Sequence, residues 1–235
     1  IVVLELPYGN VQLKYGMNSL DLLALISLAL GASWASGINL YAAVAVIGLL
    51  NAFNIAELPE AYSVLSDPIV LGIAIFMFAV EFFADKIPGF DSLWDTVHTF
   101  LRVPAGALMA AGAVSDVGEP VQIAAALIAG GTVALGSHAT KAGGRVMINA
   151  SPEPVSNWIA SFLEDVLVIM GLLLAVFKPA IFLVMFGLFL LFAMWLVPKA
   201  WRGCKALFDR LRRREEPVGR EVDRPAGFDL TAPKE

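Results

Sequence analysis

The chain has 235 residues, of which 58% are hydrophobic and 16% are charged, and its mean hydropathy is +0.76. A soluble domain is about half apolar and about a quarter charged, so this composition excludes an ordinary soluble protein. The net charge of -5 conceals an asymmetry, because ten of the sixteen Lys and Arg residues lie at or after Lys199. A single cysteine, Cys204, excludes an intrachain disulfide and a cysteine-based metal cluster.

Residues 1–16, IVVLELPYGNVQLKYG, come first and lack the basic region and apolar core of a signal peptide. We interpret them as an extension that derives from cloning or from an upstream start codon, because Met17 resembles a more natural start. No functional argument rests on them.

Six apolar segments follow, separated by short links that contain Pro, Gly or charge. They lie at 20–53, 68–84, 103–115, 120–140, 158–177 and 180–198. About 20 apolar residues cross the hydrocarbon core of a bilayer as a helix. We therefore predict an all-α polytopic membrane protein with about six transmembrane helices, contained in residues 17–199.

Basic residues predict the orientation, because cytoplasmic loops carry an excess of Lys and Arg. The links 54–67 and 116–119 contain neither residue, whereas the basic tail and most other basic residues fall on the opposite side, with Lys178 as the exception. Those residues are Lys14, Lys86, Arg102, Lys141 and Arg145. We predict that both termini face the cytoplasm, in the cytoplasmic (inner) membrane of a bacterium.

The first segment is too long for one span, because its 34 residues (20–53) would extend about 50 Å as a helix across a core of about 30 Å. It must tilt, protrude or break. Its centre, Leu30-Gly-Ala-Ser-Trp-Ala-Ser-Gly-Ile-Asn39, has a counterpart in Leu135-Gly-Ser-His-Ala-Thr-Lys-Ala-Gly-Gly-Arg145. One interpretation is a 3+3 inverted repeat of the transporter type, and the other is chance similarity. The residues assigned to a helix break or to packing are Gly31, Gly37, Asn39, Gly136, Gly143 and Gly144.

Polar residues cluster around the end of the second span. They are Glu81, Asp85, Asp91, Asp95, His98 and Arg102. The first two are one helical turn apart, and the last four follow spacings that place them on one helix face. One interpretation is an interfacial helix with this face in water and Trp94, Val97 and Leu101 in lipid. The other is a cytoplasmic vestibule, without Arg102, that binds a cation or relays protons.

A second polar set lies deeper, in the fourth and fifth spans. Ionisable groups inside a span cost about 2.5–3.5 kcal/mol each to insert, so they face the bundle interior or a wet cavity. We expect Glu164 and Asp165 to pair with Arg102 or Lys141 from neighbouring spans, as a static ion pair or as a gated, proton-coupled one. The polar pathway assigned on this basis comprises Arg102, His138, Lys141, Arg145, Glu164 and Asp165.

The segment after the last span is basic and amphipathic. Residues 200–216 predict a juxtamembrane helix that binds anionic lipid at the cytoplasmic leaflet. Residues 217–235 combine Pro, Gly and mixed charge, which predicts a disordered tail.

The sequence contains no phosphate-binding loop, nucleophile elbow or zinc-binding helix. We therefore assign no catalytic residue and predict no cofactor and no nucleic-acid partner. Carboxylates at Glu81, Asp85, Asp91 and Asp95 leave an oxygen-ligand metal site open, although they match no recognised metal-binding signature.

Four strings together resemble a known family. They are Ala35-Ser-Gly-Ile-Asn-Leu-Tyr41, Glu81-Phe-Phe-Ala-Asp-Lys-Ile-Pro-Gly-Phe-Asp91, Trp94-Asp-Thr-Val-His-Thr-Phe-Leu-Arg-Val-Pro-Ala-Gly106 and Ser151-Pro-Glu-Pro-Val-Ser-Asn-Trp158. The chain is similar in these strings to the bacterial "domain of unknown function 4126" integral membrane proteins, over residues 18–200. The resemblance implies a small multi-span membrane protein, and it carries no activity, substrate or site residue.

Three functions fit these patterns. The leading one is a small transporter or channel-like protein whose polar pathway opens to the cytoplasm. The alternative is a non-transporting scaffold or assembly subunit that forms a homo-oligomer or binds a membrane partner. A metal-dependent enzyme acting on lipid head groups is the second alternative, and it would need the acidic residues to hold a divalent cation.

Overall fold

The computed structural model describes residues 2–6, 9–13, 19–87, 90–149 and 154–215. An antiparallel hairpin of β1 (Val2–Leu6) and β2 (Gly9–Leu13) precedes the helices. The described α-helices are α1 (Ser19–Ile38), α2 (Leu40–Ala52), α3 (Pro68–Ala84), α4 (Phe90–Ala113), α5 (Glu119–Ala125), α6 (Ala134–Asn149), α7 (Pro154–Phe177) and α8 (Pro179–Glu215). A 3-10 helix, Glu60–Ser66, precedes α3, and a π-helical segment, Ala126–Val133, joins α5 to α6.

Four described helical stretches are long and apolar enough to cross a membrane. They are Asp21–Ile38, Glu119–Arg145, Trp158–Phe177 and Pro179–Gly203. The 3-10 helix and α3, bent by 66°, add a fifth if they form one broken span. The all-helical class is confirmed, and four or five described helices could span a membrane, whereas the count of six stays a prediction. The predicted segment 103–115 accounts for the difference between five and six, because most of it lies in the second half of α4, whose first half is polar.

The long first apolar segment breaks at Asn39, which is one of the three outcomes that its length allowed. Asn39 adopts an extended conformation, with φ -145° and ψ 98°. Its side-chain Oδ1 accepts a hydrogen bond from the Ala42 N–H at 2.9 Å and so caps the first turn of α2. Asn39 therefore acts as the junction between α1 and α2.

Helix α1 lies at the centre of the bundle and contacts α4, α6, α7, α8 and the π-helical segment. Its buried serines bind backbone carbonyls of other helices: Ser27 donates to Ala175 at 2.9 Å, and Ser33 donates to Ala129 at 2.7 Å. The second acceptor lies in the π-helical segment. Small and hydroxyl residues of this kind allow helices to approach closely inside a membrane.

Three of the five predicted glycines pack closely against other helices. A Cβ on Gly31 would lie 2.6 Å from the Ala175 Cβ, and one on Gly143 would lie 2.9 Å from the Ala200 Cβ. A Cβ on Gly37 would overlap atoms of Ser137 and Ala134 on α6. A Cβ on Gly136 or Gly144 would have no heavy atom of another described helix within 4 Å, so close packing does not explain these two glycines.

The fourth segment differs from the first. Helix α6 runs through its small-residue string without a break, and the irregular turn is the π-helical segment that precedes it. The two strings nevertheless contact each other, because α1 packs on α6 at Gly37. The 3+3 inverted repeat stays a prediction.

The last span and the predicted juxtamembrane helix belong to one element. Helix α8 extends without interruption over 37 residues, Pro179–Glu215, and includes Pro198. Residues 200–215 thus continue the span rather than forming a separate helix. The predicted tail, 217–235, lies outside the described residues.

Candidate functional site

Buried ionisable side chains from α3, α4, α6 and α7 meet beside the junction between α1 and α2. We call this set the charge cluster. Its members are Glu81, Asp85, Asp95, Arg102, Lys141, Arg145, Glu164 and Asp165. All are buried except Glu164, whose side chain is 21% exposed. A buried charge costs free energy unless it is paired, so the contacts within the cluster decide its properties.

Arg102 is fully buried and binds two carboxylates at once. Its Nη2 donates to Glu81 Oε1 at 2.6 Å, and its Nη1 donates to Asp95 Oδ1 at 2.7 Å. Asp95 and Arg102 lie two turns apart on α4, whereas Glu81 comes from α3. The planar guanidinium suits such a double contact, because its donors point in fixed directions.

Lys141 places an ammonium group among three carboxylates. Its Nζ lies 3.0 Å from Asp85 Oδ2, 3.2 Å from Asp95 Oδ1 and 3.5 Å from Glu81 Oε1. It also donates to the backbone carbonyl of Ile38 at 3.2 Å, at the C-terminal end of α1. The negative end of a helix dipole favours a cation at that position.

Arg145 connects the centre of the cluster to its exposed edge. Its Nη2 lies 2.6 Å from Glu164 Oε2 and 3.4 Å from Asp85 Oδ2, and its Nη1 donates to the Asp85 carbonyl at 3.2 Å. Lys86 lies near the same edge, and its backbone carbonyl accepts from Trp158 Nε1 at 3.1 Å. Burial lowers the pKa of the Lys86 amine, against the Asp165 and Asp85 carboxylates, which raise it.

His138 belongs to a hydrogen-bond chain that fixes its tautomer. Arg102 Nη1 lies 3.3 Å from His138 Nδ1, and because a guanidinium only donates, Nδ1 is the acceptor. The ring proton is therefore on Nε2, which donates to Thr99 Oγ1 at 2.6 Å. Thr99 donates in turn to the Asp95 carbonyl at 2.8 Å.

Asp165 contacts the junction between α1 and α2. Its Oδ1 accepts from Asn39 Nδ2 at 3.0 Å, while Asn39 Oδ1 caps α2. One amide therefore holds both the start of α2 and a buried acid of α7. A change in the position of Asp165 would act directly on the junction.

The structure corrects the expected pairing. Arg102 binds Glu81 and Asp95, whereas Glu164 binds Arg145 at 2.6 Å and approaches Lys141 at 3.9 Å. The expected contact between Lys141 and Glu164 is therefore present, but it is longer than the Lys141 contacts with Glu81, Asp85 and Asp95. The reason is that Arg102 points toward α3 and along its own helix.

The interfacial-helix interpretation is half wrong. Val97 and Leu101 are 58% and 51% exposed, as a lipid-facing surface requires, but Asp95 and His98 are buried. His98 stacks on Trp94 with ring centroids 4.2 Å apart and binds the Trp94 carbonyl through Nδ1 at 2.8 Å. The predicted vestibule is thus not an open entrance. The side chain of its fifth member, Asp91, lies outside the described part of the structure.

Burial also weakens the orientation argument. The prediction of cytoplasmic termini uses Arg102, Lys141 and Arg145 as loop charges, but each is buried in an ion pair. Their positions follow from their carboxylate partners, so they carry no information about which loops face the cytoplasm.

Sequence reasoning missed the contacts of Thr99 and Asn39. A signal for the main contact was nevertheless present, because Glu81 and Asp85 are four residues apart on one helix, and Lys141 and Arg145 are four apart on another. Two acids and two bases with equal spacing can face each other across a helix pair. Asp85 contacts both Lys141 and Arg145 across the helix pair in this way.

The cluster has more acids than bases. Five carboxylates face three basic side chains, Arg102, Lys141 and Arg145. Among the described residues, Glu81 Oε2, Asp95 Oδ2 and Asp165 Oδ2 are buried and have no hydrogen-bond partner. Buried polar atoms usually have a partner, so these three oxygens are exceptions that need an explanation.

The sequence model of one family matches most of the chain. Residues 26–199 match the sequence model of the family described as "Domain of unknown function (DUF4126)". The chain belongs to this family. Comparison with curated proteins and with solved structures gave no match. The matched region of this DUF4126 chain includes the whole charge cluster, so the cluster is part of the family domain, and its function has to be argued from its contacts.

The junction gives a first testable prediction. Asn39→Asp keeps an oxygen that caps α2 but replaces the Nδ2 donor with a carboxylate facing Asp165, and should destabilise the folded protein by about 1–3 kcal/mol. Asn39→Ala removes the donor without adding a carboxylate, and its loss of the α2 cap should itself cost about 1 kcal/mol. Thermal unfolding of the purified variants in detergent measures both.

Asn51→Asp is the matched control, because Asn51 Nδ2 faces the Ser66 hydroxyl rather than an acid. Its melting temperature should stay close to that of the wild type. Equal losses in Asn39→Asp and Asn51→Asp would contradict the role given to the Asn39–Asp165 bond.

Proposed function

We propose that this protein is an ion-coupled membrane transporter and that the charge cluster is its coupling site. The observation that carries the proposal is the contact between the cluster and a discontinuous helix. The last carbonyl of α1, at Ile38, binds Lys141, and the residue between the two helices, Asn39, binds Asp165.

Discontinuous helices have this use in secondary transporters. Their free ends present helix dipoles and unpaired backbone groups to ions and substrates inside the bundle. Here both ends of the break meet ionisable groups. A change in cluster charge would therefore act directly on the break between α1 and α2.

The position of Glu164 supports access to the cluster from one side. It is the partly exposed member, and it binds Arg145, which also contacts Asp85. A continuous series of ionisable groups thus leads from the exposed edge to Lys141. Such groups inside a membrane usually mark an ion or proton pathway.

The proposed membrane orientation of the termini and the proposed cellular location rest on the basic residues at the end of α8. Lys199, Arg202 and Lys205 follow the apolar residues 180–198, and basic residues favour the cytoplasmic side and anionic lipid. We propose cytoplasmic termini in a bacterial inner membrane. The six-span count and the 3+3 inverted repeat belong to the same proposal.

Reconstituted proteoliposomes test the function. Imposed Na⁺, K⁺ or pH gradients should drive flux of protons, which a pH-sensitive dye inside the liposomes reports, or flux of alkali cations or of one member of a solute panel. Asn39→Asp and Lys141→Gln should reduce the rate by about tenfold or more, because each removes a contact at the coupling site.

Glu57→Gln is the matched control, since Glu57 is exposed in the loop after α2. It should transport at the wild-type rate. Folded wild-type protein that moves no ion or solute would refute the transporter. So would Lys141→Gln and Glu57→Gln proteins that transport equally well.

A non-transporting scaffold is the second candidate. The observation in its favour is that Arg102 and Lys141 tie α3, α4 and α6 together through short ion pairs. A scaffold would show no flux and would co-purify with a membrane partner or as a homo-oligomer, and its assembly would survive Lys141→Gln if that variant folds.

A further inference from the structure

We propose that Glu81, Asp85 and Asp95 form a binding site for one alkali-metal cation beside the Lys141 ammonium. The inference deepens the proposed function, because the role of the cation in coupling rests on transport. The site itself rests on three observations: the spacing of the carboxylates, the oxygens that have no partner, and the local charge.

The spacing of the oxygens fits a metal ion. Each of the three buried residues offers one carboxylate oxygen, and these atoms lie within 4.8 Å of one another. A cation that binds oxygen at about 2.4 Å spans ligands up to about 4.8 Å apart. The three side chains come from α3 and α4, so the site would join these two helices.

Part of this donor set is not used by the protein. Glu81 and Asp95 each use one oxygen to bind Arg102 and Lys141, at Oε1 and Oδ1. The second oxygen of each, Glu81 Oε2 and Asp95 Oδ2, is buried without a hydrogen-bond partner among the described residues. A cation at these two oxygens would supply the missing interaction and would leave Oε1 and Oδ1 to Arg102 and Lys141.

The local charge selects a monovalent ion. Within this site three carboxylates face two bases, Arg102 and Lys141, which leaves one of the cluster's two excess negative charges; the other belongs to Asp165, whose Oδ1 binds Asn39. Arg145 approaches Asp85 at 3.4 Å, but its closer partner is Glu164 at 2.6 Å, so that pair is balanced by itself. One alkali cation neutralises the remainder, whereas a divalent ion would leave an excess of positive charge beside Lys141.

The Ile38 carbonyl shows that this position favours cations. Lys141 Nζ binds both the carboxylates and this carbonyl, at 3.2 Å, where α1 ends. The dipole of α1 therefore adds to the field of the acids. A cation that binds here would stabilise the break between α1 and α2 in its present form.

Equilibrium binding to the purified, detergent-solubilised protein tests the site without transport. Radioactive Na⁺ should bind saturably, and Glu81→Gln and Asp95→Asn should each weaken binding by about tenfold or more, because each removes a charged ligand. Glu57→Gln should bind like the wild type. NaCl should also raise the melting temperature of the wild type above that in choline chloride at equal ionic strength.

Lys141→Gln provides an independent test of the charge argument. It changes the local charge by one unit, to two negative charges, and should shift the preference to a divalent ion. Mn²⁺ binding, measured by electron paramagnetic resonance, should appear in this variant and be weak in the wild type.

The outcomes separate the site from the transporter. Saturable Na⁺ binding without flux would refute transport and keep the site. Flux without saturable binding, or no Na⁺-specific gain in melting temperature for the wild type, would refute the site. A stabilising effect of pH alone, with no effect of Na⁺ or K⁺, would show that a proton rather than a metal ion neutralises the carboxylates, and would also overturn this inference.

Discussion

Arg102→Met should destabilise the folded protein by about 3–5 kcal/mol, because it leaves Glu81 and Asp95 buried without their closest basic partner. The loss should appear as a large fall in melting temperature in detergent and as poor recovery of folded protein. Arg102→Lys should lie between the variant and the wild type, since an ammonium keeps the charge but cannot reproduce two directed contacts.

Arg202→Met is the matched control for this variant. Arg202 is exposed on α8, where its Nε donates to the Pro198 carbonyl of its own helix. Its loss should change stability by less than about 0.5 kcal/mol. If Arg102→Met and Arg202→Met melted at the same temperature, the charge cluster would not hold the bundle together.

A double variant separates lost attraction from uncompensated charge. Arg102→Met combined with Glu81→Gln removes one base and one acid together. Because most of the cost of breaking a buried pair is the charge left behind, the double variant should recover part of the stability that Arg102→Met loses.

Gly130→Ala should have the second large effect, for a steric reason. A Cβ on Gly130 would overlap the Cα of Ala107, so the π-helical segment and α4 would have to move apart. Overpacking costs about 1–3 kcal/mol when side chains can adjust, and backbone atoms adjust less. The expected result is a fall in melting temperature, although Ala is intrinsically the better helix former.

The neighbouring glycine supplies the control for this effect. A Cβ on Gly131 would meet open space, so Gly131→Ala should be neutral or slightly stabilising. Equal destabilisation by both substitutions would indicate that the π-helical turn itself needs glycine. The close approach of α4 would then not be the cause.

The class of fold could be predicted from the sequence because hydropathy is a local property. Runs of apolar residues in 158–177 and 180–198 match α7 and the apolar part of α8. The excessive length of 20–53 likewise required an accommodation, and the break at Asn39 is that accommodation. The number of spans was less predictable, because the first half of α4 is polar. Its Asp95, His98 and Arg102 are buried within the protein, so hydropathy does not identify that half as part of a span.

The candidate site was predictable as a set of residues but not as a set of contacts. Insertion cost identified Arg102, Lys141, Glu164 and Asp165 as interior groups, and all of them belong to the charge cluster. Their partners depend on which helix faces are adjacent, and one sequence does not contain that information. Helical periodicity left Asp95 either in water or in a vestibule, because a polar face has the same sequence pattern whether it contacts solvent or buried charge.

The sequence by itself determined that this protein belongs in a membrane, that its first apolar segment cannot be one straight span, and that its interior contains charge. These results follow from local quantities, namely hydropathy, helix length and the cost of inserting an ionisable group. Only the tertiary structure decided that Lys141 lies among Glu81, Asp85 and Asp95 at the end of α1. That arrangement joins residues far apart in the chain, and it depends on the close contact of Gly37 with α6 and of Gly130 with α4.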